Sequence, residues 1–167
     1  MGRDITKELR LEEQLRQAAL EGVKQMVDQL LEQGINCDAT DQEGTTALMY
    51  AGFNGHSEIL LALLESGAVV DRRDQMGRTA LLYASTGPFP ETVTILLDKG
   101  AAPNIVDNDE HFSPLMHAAA EGNLDVVKIL VEHGADPTLK DVDEDDAASF
   151  ARQAGHMDVV EYLATVK

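Results

Sequence analysis

Carboxylates come closer than any other side chains in this chain to a chemical motif. The run Asp141-Val142-Asp143-Glu144-Asp145-Asp146 has the acid density of a calcium loop, because a hard cation gathers oxygen ligands. Such a loop also needs Gly at its sixth place for a sharp turn and Glu at its twelfth to bind bidentately. Those places hold Asp146 and Arg152, so the run implies only weak, adventitious divalent binding. Of five histidines, His111, His117 and His133 stand in unrelated contexts, without an HxxxH pair or a cysteine partner that would suggest zinc. Cys37 is the single cysteine and has Asp38 beside it rather than a cation, so nothing lowers its pKa toward a reactive thiolate. No GxSxG elbow, Walker loop or dinucleotide fingerprint occurs. The expectation is a non-enzymatic protein with no catalytic residues, no cofactor and no metal site.

Composition narrows the partner. The 167 residues suit one domain, and 44% apolar content supports a core. Thirteen Lys plus Arg against thirty Asp plus Glu give a net charge of −17. That argues against direct nucleic-acid or anionic-membrane binding, both of which need a basic surface. It suits a partner protein that is itself basic, although solubility alone also favours excess acid. With no Trp, three Tyr and four Phe, the chain is not an aromatic stacking platform. A lone cysteine makes no internal disulfide, and the amino terminus has no apolar signal-like stretch. A reducing, cytoplasmic location is therefore expected. No apolar run approaches the roughly 18 residues of a membrane helix.

What organises these residues is a period. Segments beginning at Asp41, Asp74, Asp107 and Asp141 align, with starts 33, 33 and 34 residues apart. A weaker fifth copy precedes them, in which Leu15, Ala18, Gly22, Leu30, Leu31 and Gly34 match Leu48, Ala51, Gly55, Leu63, Leu64 and Gly67. Within one copy, Thr46 is placed to cap a short helix carrying Leu48 and Ala51, and Gly55 breaks it. A second helix follows with Ile59, Leu60, Leu63 and Leu64 on one stripe, and Gly67 stops it. Asp71 to Gly77 is turn chemistry leading into the next copy. Each unit has an apolar face that it cannot bury alone, so neighbours must stack.

The copies DQEGTTALMYAGFNGHSEILLALLESGA and DNDEHFSPLMHAAAEGNLDVVKILVEHGAD resemble the ankyrin repeat, and the resemblance runs over about residues 8 to 167. It implies an all-α repeat fold, a solenoid of about five helix–turn–helix units joined by β-hairpin-like fingers. The units read as an extension at 1–7 that continues into the capping helix, a capping repeat at 8–40, repeats at 41–73, 74–106 and 107–140, and a carboxy-terminal cap at 141–167. Capped ends favour a monomer. The family's His after the T-P-L triplet is replaced by Met49, Leu82, Met116 and Ser149, which puts the hairpin-to-helix bond credited to that His in doubt. Tyr50, Tyr83, His117 and Phe150 stand beside these positions, a ring ladder read mainly as packing between repeats.

The resemblance implies a protein–protein interaction module that recognises its partner on the concave surface of fingers and first helices. The expected contacts are Gln42, Glu43, Phe53, Asn54, Gln75, Met76, Arg78, Thr86, Asp109, Glu110, Glu121 and Glu144. Phe89, in the stiff loop Gly87-Pro88-Phe89-Pro90, either projects as an anchor or folds back onto the neighbouring helix. Repeat four carries one extra residue in its finger, and Glu110 is read as the replacement for the turn glycine. Residues 107 to 167 hold 14 acids and four bases, against a small basic spot at Arg72, Arg73 and Arg78. This polarity either orients a basic partner or merely solvates the loops. Masking the basic surface of a nucleic-acid-binding protein or enzyme is the alternative function, and service as an accessory segment of a larger protein is another. Asn104 sits where asparagine hydroxylation occurs in similar repeats.

Overall fold

A computed structural model describes residues 5–166. Residues 1–4 of the extension and Lys167 lie outside it, and 5–7 already belong to the first helix. The described residues form five antiparallel helix pairs: α1 (Ile5–Glu21) with α2 (Lys24–Glu32), α3 (Ala47–Phe53) with α4 (Ser57–Glu65), α5 (Ala80–Ala84) with α6 (Pro90–Asp98), α7 (Pro114–Ala120) with α8 (Leu124–Glu132), and α9 (Ala147–Ala154) with α10 (Met157–Thr165). First helix packs on first helix and second on second along the stack. The first pair differs because α1 has 17 residues where α3 has seven.

Local chemistry sets these lengths. Thr46 accepts a hydrogen bond from the Met49 amide, and Thr79, Ser113 and Asp146 do the same for Leu82, Met116 and Ser149. Each satisfies a donor that the helix start leaves orphaned. At Thr46 and Ser113 the cap is reciprocal, because the Met49 and Met116 sulfurs accept from the Thr46 and Ser113 amides at 3.4 Å. Two of the four residues in the place of the missing His thus serve as thioether acceptors. The second helices stop at Gly67, Gly100 and Gly134, whose φ values of 92°, 90° and 87° lie in the left-handed region.

The core is one continuous seam. Ala47, Leu48, Ala51, Leu60 and Leu63 from one repeat join Leu81, Ala84, Leu96, Leu115, Ala118 and Leu130 from the next two. Leu63, Leu96 and Leu130 are fully buried, and burial of each stabilises the stack by about 1.5–3 kcal/mol. Alanines on the first helices let neighbouring backbones approach closely. An added Cβ on Gly52 would lie 2.9 Å from the Ala80 carbonyl oxygen of the next repeat. In the last repeat Ala147 and Ala151 are buried, while Ala148 and Ser149 are half-exposed where the inner repeats bury Leu48 and Met49, Leu81 and Leu82, and Leu115 and Met116.

The fingers are turns rather than hairpins: no strand occurs among the described residues. Each closes on itself through a backbone bond from Asp41 to Thr45, Asp74 to Arg78, Asp107 to Phe112 and Asp141 to Asp145, and in three of them the amide of Gly44, Gly77 or Glu144 also donates back to the opening aspartate's carbonyl. Successive fingers are joined by one backbone bond apiece, Gln75 to Glu43, Asn108 to Met76 and Val142 to Glu110, and the Gln75 and Asn108 side-chain amides add bonds to the Gln42 and Gln75 carbonyls. Single backbone steps of this kind replace a strand ladder, because a turn of five or six residues offers no length for one.

Candidate functional site

The aspartate that opens each finger organises it. One Asp41 carboxylate oxygen accepts from the Glu43 and Thr45 amides, and Asp74, Asp107 and Asp141 bond their own turns in the same manner. These carboxylates face inward, and Asp74 and Asp141 are buried. Asp107 and Asp141 therefore do not belong to the acidic tips among which their sequence neighbours place them. Their function is to hold the turn.

Tyrosines tie the fingers to the helices. Tyr50 donates its hydroxyl to Asp41 and Tyr83 to Asp74, both at 2.7 Å. The finger-to-helix bond thus exists, carried by the residue after the one where the family has His. The Asp74 side chain is 0% exposed and also receives the Arg78 guanidinium at 3.0 Å. Burial, then the bond to Asp74, pushes the Tyr83 hydroxyl well above the usual phenol range. Burial alone would raise the Asp41 pKa, but the bonds from Tyr50 and from the Thr45 and Glu43 amides, with the charge of Arg16, outweigh it and hold the carboxyl low. Arg16, Glu13, Asp41 and Tyr50 line a shallow cleft between α1 and this first finger.

The residues expected to contact a partner divide into two groups. Phe53, Met76, Gln42, Glu43, Asp109, Glu110, Glu121 and Glu144 point into solvent, with Phe53 49% and Met76 42% exposed. The Phe53 ring stands edge-on to Tyr83 at 6.1 Å, and Arg78 covers the Tyr83 ring at 4.8 Å. Met76 sits between the first and third of these finger tips, since its own finger bonds both. The remainder serve the scaffold: Asn54 donates to the Leu20 carbonyl, Thr86 to the Tyr83 carbonyl and Gln75 to the Gln42 carbonyl. Glu144 is exposed and paired with Lys140 at 3.1 Å.

Several expectations need correction. Phe89 does not project. It is half-buried, its ring packed over Gly55 of the preceding repeat and against Gly87. The extra residue in the fourth finger moves the left-handed position from Glu110 to His111, with φ 60°, and Glu144 takes that role in the last finger with φ 68°. The basic spot is smaller than its residue count, because Arg73 donates to the Gly77 and Val106 carbonyls and to Asn108, and Arg78 is held by Asp74. Asn104 spans the next repeat, donating to the Gly134 carbonyl and accepting from the Asp136 amide. Asp38 and Asp71 accept from Val69 and Ala102 at the equivalent places.

Sequence reasoning missed one cluster. Phe112 lies edge-on to His117 at 5.5 Å and to Phe150 at 5.2 Å, in the place from which Arg78 covers Tyr83 one repeat earlier. Burial lowers the His117 pKa against the opposing charges of Asp107 and Glu121, and its Nε2 is buried without a hydrogen-bond partner among the described residues. Cys37 is shifted upward by burial and by Asp38, the direction away from a reactive thiolate. Among the described residues no group of three His, Cys, Asp or Glu is placed to hold a metal ion, and no helix is long and apolar enough to cross a membrane.

A family model described as ankyrin repeats matches in three copies, over residues 15–107, 70–141 and 87–167. No curated protein matches the chain.

Proposed function

The chain belongs to the ankyrin-repeat family, whose repeats generally mediate protein–protein interaction, and on that premise we propose that it is a non-enzymatic binding module for a partner with a basic surface. The observation that carries the reading is the pairing of two exposed apolar side chains, Phe53 and Met76, with exposed carboxylates at Glu43, Asp109, Glu110 and Glu121. Apolar anchors supply affinity at the centre of an interface, and surrounding charge speeds encounter and rejects like-charged partners. The finger staircase supports a preformed surface, so little ordering entropy opposes binding. In this reading the protein acts as a monomer in the cytoplasm, and Asn104, exposed although its side-chain amide is bonded to Gly134 and Asp136, is a hydroxylation site. Masking of a basic nucleic-acid-binding surface is the special case in which the partner's basic face is itself functional; the charge of −17 favours it.

The test uses the partner captured from a native lysate and purified. Its affinity would be measured by calorimetry for the parent, for a variant with Phe53→Ala and Met76→Ala, and for one with Asp109, Glu110, Asp143, Glu144 and Asp145 neutralised to amides. The anchor variant is expected to lose about tenfold or more, and the amide variant to lose the steep dependence on salt. Parent affinity in both variants would refute this surface as the site. Competition between the chain and nucleic acid for the partner would mark the masking role.

A further inference from the structure

The five second helices begin on residues with nearly one backbone geometry. Val23, His56, Asn123 and His156 have φ of −86°, −80°, −79° and −83° with ψ between 71° and 75°, and Phe89 is close at −118° and 64°. In three of the four junctions this residue carries a ring that packs on a glycine of the preceding repeat. His56 covers Gly22, where an added Cβ would lie 2.7 Å from its Cε1, Phe89 covers Gly55, and His156 covers Gly122. The junction between the third and fourth repeats breaks the series. It sets Asn123 opposite Pro88, so neither the ring nor the glycine is present.

The space reflects the change. A groove runs there between Pro88 and Pro90 on one wall and residues 122–126 on the other, with a volume of about 460 Å³. The same groove in the same register, between Gly22 and Lys24 and residues 55–59, has about 290 Å³ where the His56 ring is in place and Glu91 of the next repeat also lines it. Pro88 and Pro90 are exposed, Leu124 is half-exposed, and Asp125 is an exposed carboxylate on the rim. Prolyl rings hold their backbone rigid and offer flat apolar faces, and the exposed Glu121 immediately precedes Gly122.

The geometry points to a docking slot at this junction for an aromatic side chain of a partner protein, flanked in the partner by a basic residue. The other junctions supply the template, since in each a ring of the chain's own packs on the preceding repeat. The prolines and Leu124 supply apolar walls, on which an aromatic side chain buries more area than any aliphatic one. Asp125 supplies an acceptor for a phenol hydroxyl, an indole N–H or an adjoining cation. The slot uses none of Phe53, Met76 or the finger tips, so it stands or falls separately from the finger surface.

The test is titration of the ¹⁵N-labelled full chain with the blocked tripeptide Arg-Tyr-Arg, with Arg-Ala-Arg as control. Saturable shifts are expected at the Leu124, Asp125 and Val126 amides with the tyrosine peptide, and binding of the alanine peptide at least about tenfold weaker. Asn123→His places a ring at the position of His56 and His156, but opposite Pro88 rather than a glycine, so the ring must take up groove volume. It is expected to narrow the slot and reduce tyrosine-peptide affinity about tenfold, while Asn123→Ala keeps it. Asp125→Asn alters an exposed side chain and so preserves the fold; it is expected to weaken binding about threefold or more. Equal binding of the two peptides, shifts only elsewhere, or parent affinity in both Asn123→His and Asp125→Asn would overturn the slot.

Discussion

Replacing Tyr83 with Phe isolates the bond that ties the third-repeat finger to its helix. The substitution removes a single oxygen and keeps the ring, so the edge contact with Phe53 and the cover by Arg78 persist. What is lost is a 2.7 Å bond to a carboxylate with no solvent exposure. Water cannot enter to replace the donor, and hydrogen bonds to charged groups contribute about 1.5–3 kcal/mol. The Arg78 amide and guanidinium still hold Asp74, which places the expected cost toward the lower half of that range. At about 2–4 °C per kcal/mol for a chain of this size, the melting temperature falls by roughly 3–9 °C. Tyr50→Phe is the internal comparison: its partner Asp41 is half-exposed, so solvent compensates and the cost is about 0.5–1.5 kcal/mol. The assay is urea unfolding of the parent, of Tyr83→Phe, Tyr50→Phe and Asp74→Asn, and of Tyr83→Phe combined with Asp74→Asn, followed by circular dichroism. In the double variant the cost of losing the hydroxyl shrinks, because the charged acceptor is gone. A loss below about 0.5 kcal/mol for Tyr83→Phe, or a larger loss for Tyr50→Phe, refutes the assignment of the finger tie to buried tyrosine–aspartate pairs.

Gly52→Ala sets helix propensity against packing. In an isolated helix the change gains about 1 kcal/mol, yet here the new methyl meets the Ala80 carbonyl oxygen at 2.9 Å. Net destabilisation of about 1–3 kcal/mol is expected by denaturant unfolding, and a stabilised variant would show that the two repeats separate without cost. His117 gives a pH signature. Its folded pKa lies below the ordinary value near 6.5, so the parent loses stability as pH falls through about 6.5 toward the lower folded value, where the unfolded chain binds the proton first. His117→Phe keeps a ring against Phe112 and removes the titration while Asp107, Glu121 and Arg78 remain. The parent-minus-variant stability difference, measured between pH 7 and pH 5, is expected to move against the parent; a flat difference would refute a buried neutral imidazole.

The period of 33 residues made most of this fold legible without coordinates. Capping hydroxyls at Thr46 and Thr79, the stripe from Ile59 to Leu64 and the stop at Gly67 are local signals, written in residues within one helical turn of their effect. The acidic balance and the exposure of Phe53 and Met76 were also readable, because they depend on composition and repeat position. The neighbours of a side chain one repeat away were not. Asp107 and Asp109 look alike in sequence, yet one closes a turn and the other faces water. Arg72 and Arg73 are adjacent, but Arg73 reaches the Val106 carbonyl 33 residues on. Phe89 was open between anchor and packing until the preceding repeat set Gly55 beneath its ring. Turn and helix signals act through the backbone of their own segment, so the sequence by itself determined the repeat, its caps and its stacking. Which polar groups remain free for a partner depends on what the adjacent repeat offers them, and only the tertiary structure decided that.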